Sequence, residues 1–502
     1  MTEHQHDIGM IGLAVMGRNL VLNMADHGFG VAAYNRTEAV TREFVAQLEP
    51  GQEVGPCYSL EEFVGRLKKP RRAMIMVKAG KPVDAVIAEL ENLLEPGDIV
   101  IDGGNSYFRD TERREQSLGT KGIHFLGVGI SGGEFGARTG PSMMPGGPRE
   151  AYPAVQPIFE AIAARAEGDP CVAYLGPGAA GHYVKMVHNG IEYGLMQLIA
   201  ESYALLKQAL GLSNDQLAEV YAEWDGAELS SYLVEITADI FRHRDELTDG
   251  RLIDFIRGEA EQLGTGMWTS QSAMDLQVPA PNIDIAVAMR NLSALGEQRR
   301  TAAELLASAE GAEYAAGAGV GGQAGGGQAG GGAQAGAARP ETLSLAVEDV
   351  RGALYAAVIM TYAQGFAHLQ AASSSMGLDL RLHDVAGVWR GGCIIRSALL
   401  RDIRAAFERQ PELPNLLLDP HLSREVARRR PHLEQVIHAG ATAGVPLPGL
   451  SNALAYLDAY RVPWLPSNLI QAQRDYFGAH KYRRIDRDGI FHTEWPSGDD
   501  RR

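Results

Sequence analysis

Over its first third the chain alternates short β-type runs with helical stretches, and then it stops doing so. The strand candidates are Asp7–Ile11, Val31–Tyr34, Ala73–Val77, Ile99–Asp102, His124–Gly127 and Val172–Leu175. Helical patterns lie between several of them, over Val15–His27, Pro82–Leu94 and Arg149–Ala164. Alternation of this kind predicts a doubly wound parallel sheet with helices on both faces. From about Ala179 to about Pro463 the texture becomes rich in Ala, Leu, Glu and Gln, and strand signals are rare. That predicts a large all-α region. Within it, Ala315–Ala338 is almost only Gly, Ala and Gln. Such a segment buries too little apolar surface to offset its ordering entropy and reads as a flexible loop.

Composition narrows the function classes. A chain of 502 residues is too long for one small core and implies about two to four domains. No apolar run reaches the roughly 18 residues of a membrane span, and the polar first residues do not read as a signal peptide. Cys57, Cys171 and Cys393 are few, odd in number and far apart, which suits a reducing, cytoplasmic setting better than a disulfide framework or a Cys-rich zinc site. The formal charge of −16 argues against nucleic acid or anionic membrane as a partner. It leaves room for a small anionic ligand in a local basic pocket.

Two stretches carry chemistry. Gly12-Leu13-Ala14-Val15-Met16-Gly17 follows the first strand and opens a helix, which is the Gly-x-Gly-x-x-Gly dinucleotide fingerprint with Ala14 at the second glycine. The second strand ends in Asn35-Arg36-Thr37 rather than in the acidic residue that holds the ribose hydroxyls of NAD. Arg36 can pair with a 2′-phosphate, with Asn35 and Thr37 adding hydrogen bonds, so the reading is NADP. The second stretch runs from Gly181 to Tyr193 and places Lys185, His188, Asn189 and Glu192 at i, i+3, i+4 and i+7. At roughly 100° per residue these share one helix face. Met186, Val187 and Ile191 point elsewhere. Polar groups confined to one face of an otherwise apolar helix suggest a site. A Lys made neutral by desolvation can take the proton of a secondary alcohol as hydride leaves, and Glu192 is placed to act as a second acid.

The whole chain resembles the 6-phosphogluconate dehydrogenases. The resemblance is carried by Gly-Leu-Ala-Val-Met-Gly (12–17), Asn-Arg-Thr (35–37), Val-Lys-Ala-Gly (77–80), Asp-Gly-Gly-Asn-Ser (102–106) and Ser-Gly-Gly-Glu-Phe-Gly-Ala-Arg (131–138). It continues through the 181–193 helix, Trp-Arg-Gly-Gly-Cys-Ile-Ile-Arg (389–396) and Gln-Ala-Gln-Arg-Asp-Tyr-Phe-Gly-Ala-His (471–480). It implies an NADP-binding Rossmann-like domain over 1–178, an all-helical dimerisation and substrate domain over 179–465, and a C-terminal tail over 466–502 that completes the partner's site in a homodimer. It implies oxidative decarboxylation of 6-phosphogluconate, with Lys185 as base and later acid, and Glu192 as the acid of the enediol-to-ketone step. By the same resemblance Val77, Lys78, Ala79 and Asn105 line the cofactor site. Asn105, Ser131, Gly132, Gly133, His188 and Asn189 hold the sugar acid; Tyr193, Thr265 and Arg290 hold its phosphate; Arg474 and His480 come from the other subunit. No metal is expected, since a 3-keto acid has its own electron sink. Two positions depart from the family pattern: Leu263 stands where a phosphate-contacting Lys is usual, and Lys481 where a Thr is usual. The smaller β-hydroxyacid dehydrogenases share the cofactor motif and the Lys, but they are much shorter and lack the C-terminal motif. A non-catalytic NADP-binding regulator is favoured only by Leu263 and opposed by the intact Lys185 and Glu192.

Overall fold

The computed structural model describes residues 5–310 and 345–495; the loop expected over 315–338 lies outside them. The chain forms two compact units, Met1–Ala453 and Leu454–Arg502.

The larger unit opens with a seven-stranded sheet: β1 (Ile8–Ile11), β2 (Val31–Tyr34), β3 (Val54–Cys57), β4 (Arg72–Ile75), β5 (Ile99–Asp102), β6 (His124–Ser131) and β7 (Ser142–Gly146). Helices α1 (Val15–Asp26), α2 (Glu38–Val45), α3 (Leu60–Gly65), α4 (Lys81–Leu90), α5 (Phe108–Gly119), α6 (Gly133–Thr139) and α7 (Tyr152–Ile162) connect and follow them. The strand order is β3-β2-β1-β4-β5-β6-β7. All neighbours are parallel except β6 and β7, which are antiparallel. Side chains alternate across a strand, and the core divides accordingly. Ile8, Met10, Val31, Ala33, Ile99 and Ile101 face one apolar layer with α1 and α7. Ile11, Ala32, Ile75 and Val100 face the other, with α3 and α4. Fully burying a side chain of this kind contributes about 1.5–3 kcal/mol.

The strands differ from the sequence expectation in several places: β4 lies at Arg72–Ile75 instead of Ala73–Val77, and β7 is unexpected, because Pro145-Gly146 reads as a turn. β3 is unexpected because Val54-Gly55-Pro56-Cys57 reads as a turn; it forms at the sheet edge, where a missing N–H is tolerated. β6 runs on to Ser131 through Gly127 and Gly129, which dilute the β signal in sequence. Val172–Leu175 is not a ladder strand. It meets β7 only at isolated parallel bridges, Met143 with Val172 and Gly146 with Gly176, and the register slips by one residue between them. Pro145 of β7 has no N–H to offer in that gap. The expected helix over Arg149–Ala164 begins as a 3₁₀ turn, Arg149–Ala151, before α7.

Beyond the sheet and a short antiparallel pair, Arg165–Ala166 with Asp169–Pro170, helices dominate the described residues. The first helix, α8 (Ala180–Ala204), lies between β6 and β7 on one side and helices Thr265–Asp275, Pro281–Ser293 and Val347–Met376 on the other. Gly181 makes the close approach possible: a Cβ there would lie 2.2 Å from the carbonyl oxygens of both Gly127 and Met144. No helix among the described residues is long and apolar enough to cross a membrane.

Candidate active site

The helices after β1 and β4 leave for opposite faces of the sheet, so a crevice opens at the C-terminal ends of these two adjacent strands. Gly12 turns the chain there with φ +101°, and a Cβ would sit 2.5 Å from the Met76 carbonyl oxygen. At Gly17 a Cβ would meet the Gly12 carbonyl oxygen at 2.0 Å. Leu13 N–H donates to Asn35 Oδ1 at 3.2 Å, joining the two motifs. Ala14 starts α1 with extended backbone and no side-chain acceptor, which leaves the first amides, at Val15 and Met16, open to an anion. A cleft of about 340 Å³ is lined by Gly12, Asn35, Arg36, Thr37, Val77 and Lys78 among others. Arg36 is exposed and, among the described residues, has no hydrogen-bond or ion-pair partner. Ala79 follows Lys78 in the same loop, half-buried. Glycine turn, open helix end and free guanidinium together fit an anionic dinucleotide with an extra phosphate.

A support that the sequence reading missed lies behind this cleft. Arg114 on α5 is buried and donates to Asp84 Oδ1 (2.8 Å), Asp102 Oδ2 (3.2 Å), Ser106 Oγ (3.2 Å) and the Gly80 carbonyl (3.1 Å). It therefore ties the loop after β4, with Val77–Ala79, to the loop after β5, with the exposed Asn105. Asp102 also accepts from Ser106 Oγ (2.6 Å) and Gly104 N (3.0 Å). His182 of α8 reaches the Asp102 carbonyl through Nε2 at 3.0 Å and Thr111 Oγ1 through Nδ1 at 2.7 Å. Burial holds this imidazole below its usual pKa range, so we assign Nε2–H as donor and Nδ1 as acceptor. Asp102 stood in a recognised motif without a role. Arg114, in a polar helix, reads in sequence as a surface residue.

The polar face of α8 is buried. Lys185, His188 and Asn189 are 6%, 0% and 9% exposed, and Glu192 is half-buried. Lys185 Nζ donates to Asn189 Oδ1 at 2.8 Å, and His188 Nδ1 lies 3.0 Å from the same oxygen. His188 Nε2 lies 3.3 Å from Ser131 Oγ, at the end of β6. The consistent assignment has Nδ1–H donating to Asn189 and Nε2 accepting from Ser131, whose oxygen in turn accepts from Ile394 N–H at 3.4 Å. The His188 ring also packs edge-on against Trp389, 5.6 Å between centroids. Burial lowers the Lys185 pKa, partly opposed by Glu192. Burial and the neighbouring Lys185 push His188 well below the usual imidazole range. Burial raises Glu192, against the pull of Lys185 and Arg290. A base and an acid are thus displaced toward each other on one helix face.

Towards the far end of that face, Asn189 Nδ2 donates to Thr265 Oγ1 at 3.1 Å. The Arg290 guanidinium lies 3.5 Å from the centroid of the buried Tyr193 ring. Tyr193, Thr265 and Arg290 are therefore brought to the polar face of α8. Leu263 is 90% exposed and packs on nothing that would explain an apolar residue there. Gly132 and Gly133 open α6 directly after Ser131. Arg474 and His480 belong to the second compact unit, where both are exposed.

Residues 7–176 match the family described as the NAD binding domain of 6-phosphogluconate dehydrogenase, and residues 181–495 match 6-phosphogluconate dehydrogenase, C-terminal domain. The chain belongs to the 6-phosphogluconate dehydrogenase family. Its relatives in that family include the NADP(+)-dependent, decarboxylating 6-phosphogluconate dehydrogenase of Bacillus subtilis, 52% identical over 98% of this chain and 99% of that one. The decarboxylating enzyme of Escherichia coli is 48% identical over 98% and 99%. Among solved structures, the 6-phosphogluconate dehydrogenase of Plasmodium falciparum, studied in apo form and with its cofactor NADP+ and substrate 6-phosphogluconate, superposes with a TM-score of 0.88 at 40% identity, covering 97% of this chain and 100% of that one. Coverage this complete separates the chain from the shorter β-hydroxyacid dehydrogenases.

Proposed function

We propose that this chain oxidises and decarboxylates 6-phosphogluconate to ribulose 5-phosphate and CO₂, with reduction of NADP. The observation that carries the reading is the buried Lys185 amine, bonded to a neutral amide and not to a carboxylate, with Glu192 on the same helix face. Bound NADP supplies the hydride acceptor. Arg36, Asn35 and Thr37 hold its 2′-phosphate end, residues 12–17 its pyrophosphate, and Val77, Lys78, Ala79 and Asn105 the nicotinamide side.

Neutral Lys185 takes the proton of the substrate's C3 hydroxyl as hydride leaves C3. The resulting 3-keto acid loses CO₂, because the ketone accepts the electron pair of the breaking C1–C2 bond. Lys185 ammonium returns its proton to the developing oxyanion, giving the enediol. Glu192 then protonates the substrate's C2, which becomes C1 of the ketose, while Lys185 takes back the C3 hydroxyl proton as the ketone forms. His188 and Asn189 fix the direction of the Lys185 amine; with Ser131, Gly132, Gly133 and Asn105 they bind the sugar acid. Tyr193, Thr265 and Arg290 bind its phosphate. We further propose a homodimer in which Arg474 and His480 complete the partner's site, the domain roles set out from the sequence, and a cytoplasmic setting in line with three free, buried cysteines. The direct test is formation of NADPH and CO₂ from 6-phosphogluconate, with unphosphorylated gluconate as control. Absence of both products with the phosphorylated substrate would refute the assignment.

A further inference from the structure

The C-terminal unit holds His480 in an unusual way. Helix Ser467–Gly478 ends in a reversal in which Ala479 and Lys481, on either side of His480, both have left-handed backbone, φ +49° and +62°. Neither is glycine, so surrounding contacts must hold these conformations. The contacts come from one face of the helix. Asp475 Oδ1 accepts from Lys481 N–H at 2.8 Å, and Gln471 Nε2 donates to the Lys481 carbonyl. Both backbone polar groups of Lys481 are gripped by residues one helical turn apart. Gln471 Oε1 also accepts from Arg474 Nη1 at 3.1 Å, which locks the Arg474 side chain to the same reversal.

Asp475 is 0% exposed, although its neighbours Arg474 and Tyr476 are exposed. It accepts three further bonds from the returning chain: His492 Nδ1 at 2.9 Å, Thr493 N at 3.0 Å and Trp495 Nε1 at 3.0 Å. Burial alone would raise its pKa; the donors, His492 first, override that and hold the carboxyl well below the usual range. The returning segment is pinned in turn by reciprocal backbone bonds between Tyr482 and Phe491, each 2.8 Å. A single buried carboxylate thus joins the helix, the reversal and the final segment.

We propose that Asp475 is a positioning residue: with Gln471 it fixes the reversal that presents His480, together with Arg474, to the substrate of the partner subunit. This rests on the reading that Arg474 and His480 complete the partner's site.

The test uses the full-length chain and compares Asp475→Asn, Gln471→Ala, Trp495→Phe and His480→Ala for the Michaelis constant of 6-phosphogluconate, kcat, and NADP affinity. Losing the contacts that aim one charged ligand group should raise the substrate constant roughly 10- to 100-fold in Asp475→Asn. NADP affinity should be unchanged and kcat should fall less than the substrate constant rises. Gln471→Ala should move in the same direction, and it decides the matter if Asp475→Asn does not fold. Trp495→Phe removes a donor to the other oxygen of Asp475, keeps the Lys481 and Gln471 bonds of the reversal, and should leave the substrate constant within about twofold. If His480→Ala raises that constant while the Asp475 and Gln471 variants leave it unchanged, the inference fails and the reading of the tail stands. If His480→Ala itself has no effect, that reading fails and the inference goes with it. Parallel losses of substrate and NADP affinity in Asp475→Asn and Trp495→Phe would assign Asp475 to stability alone and overturn its positioning role.

Discussion

Two regions assigned to one reaction treat their polar groups in opposite ways. On α8, Lys185, His188 and Asn189 are buried and bonded to one another, and their surroundings favour neutral forms. In the unit from Leu454 to Arg502, Arg474 and His480 are exposed, beside apolar side chains as exposed as Phe477 (72%) and Ile485 (83%). The difference is chemical. A lysine that must accept a proton is useful only when burial has weakened its hold on its own. An arginine proposed to bind a phosphate dianion needs instead to stay open to its ligand, with its fork of donors unspent. The first region is organised by its own buried contacts, while the second leaves its charged groups and apolar side chains exposed.

The sharpest way to break this contrast is Lys185→Met. Turnover should fall by about 10²–10⁴-fold, the usual contribution of a general base, while NADP binding is retained in a titration. A variant with more than about a tenth of the rate would remove Lys185 from the proton-transfer role. Next in size is complementation between chains. A verified heterodimer of a Lys185→Met chain with a His480→Ala chain contains one intact site if the tails cross, and should recover about half the activity per dimer. No recovery would mean that each chain completes its own site and that the contrast lies within one subunit.

The pH profile probes the α8 cluster from within. Activity needs Lys185 unprotonated and Glu192 protonated, so kcat/KM should be bell-shaped. The acid limb reports protonation of the base and the alkaline limb loss of the proton on the acid. The lowered Lys185 and raised Glu192 pKa values both enlarge the share of enzyme in that protonation state, and the apparent values of the limbs belong to the pair. Glu192→Gln should flatten the alkaline limb; an unchanged profile would exclude Glu192 as the acid. Arg36 resembles the tail more than the helix, being exposed and charged. Arg36→Ala should raise the Michaelis constant for NADP by roughly 10- to 150-fold and leave that for NAD nearly unchanged. Equal effects on both would end the 2′-phosphate assignment.

The smallest effect concerns Leu263 and Lys481. If Lys481 supplies charge missing at Leu263, Lys481→Thr should weaken 6-phosphogluconate binding by about two- to fivefold, and adding Leu263→Lys should restore it in a double-mutant cycle. An unchanged Michaelis constant for the phosphorylated substrate in Lys481→Thr would mean that Arg290 and Arg474 suffice.

The legible parts of the molecule were those with a strong local signal. Strands such as Val31–Tyr34 and Ile99–Asp102 read correctly because β-branched and apolar residues are bounded by turn residues, and the α8 face read correctly because helical periodicity is short-range. Residues whose roles depend on distant partners were illegible. Arg114 is indistinguishable from a surface arginine until Asp84, Asp102 and Gly80 are seen around it. Val172–Leu175 has strand composition, but its neighbour β7 lacks an N–H at Pro145, which no local pattern in 172–175 records.

The contact at Gly181 has a consequence for engineering. With two carbonyl oxygens 2.2 Å from any added Cβ, the seam between α8 and the sheet has no slack. A library that varies residues along this seam would yield mostly unfolded or inactive chains. On the proposed reading of the phosphate end, variation at the exposed Leu263 would probe which anion is accepted, whereas a change at Arg290 would also release its pull on Glu192. The scaffold thus separates a part that must be inherited whole from a part that selection can edit one residue at a time.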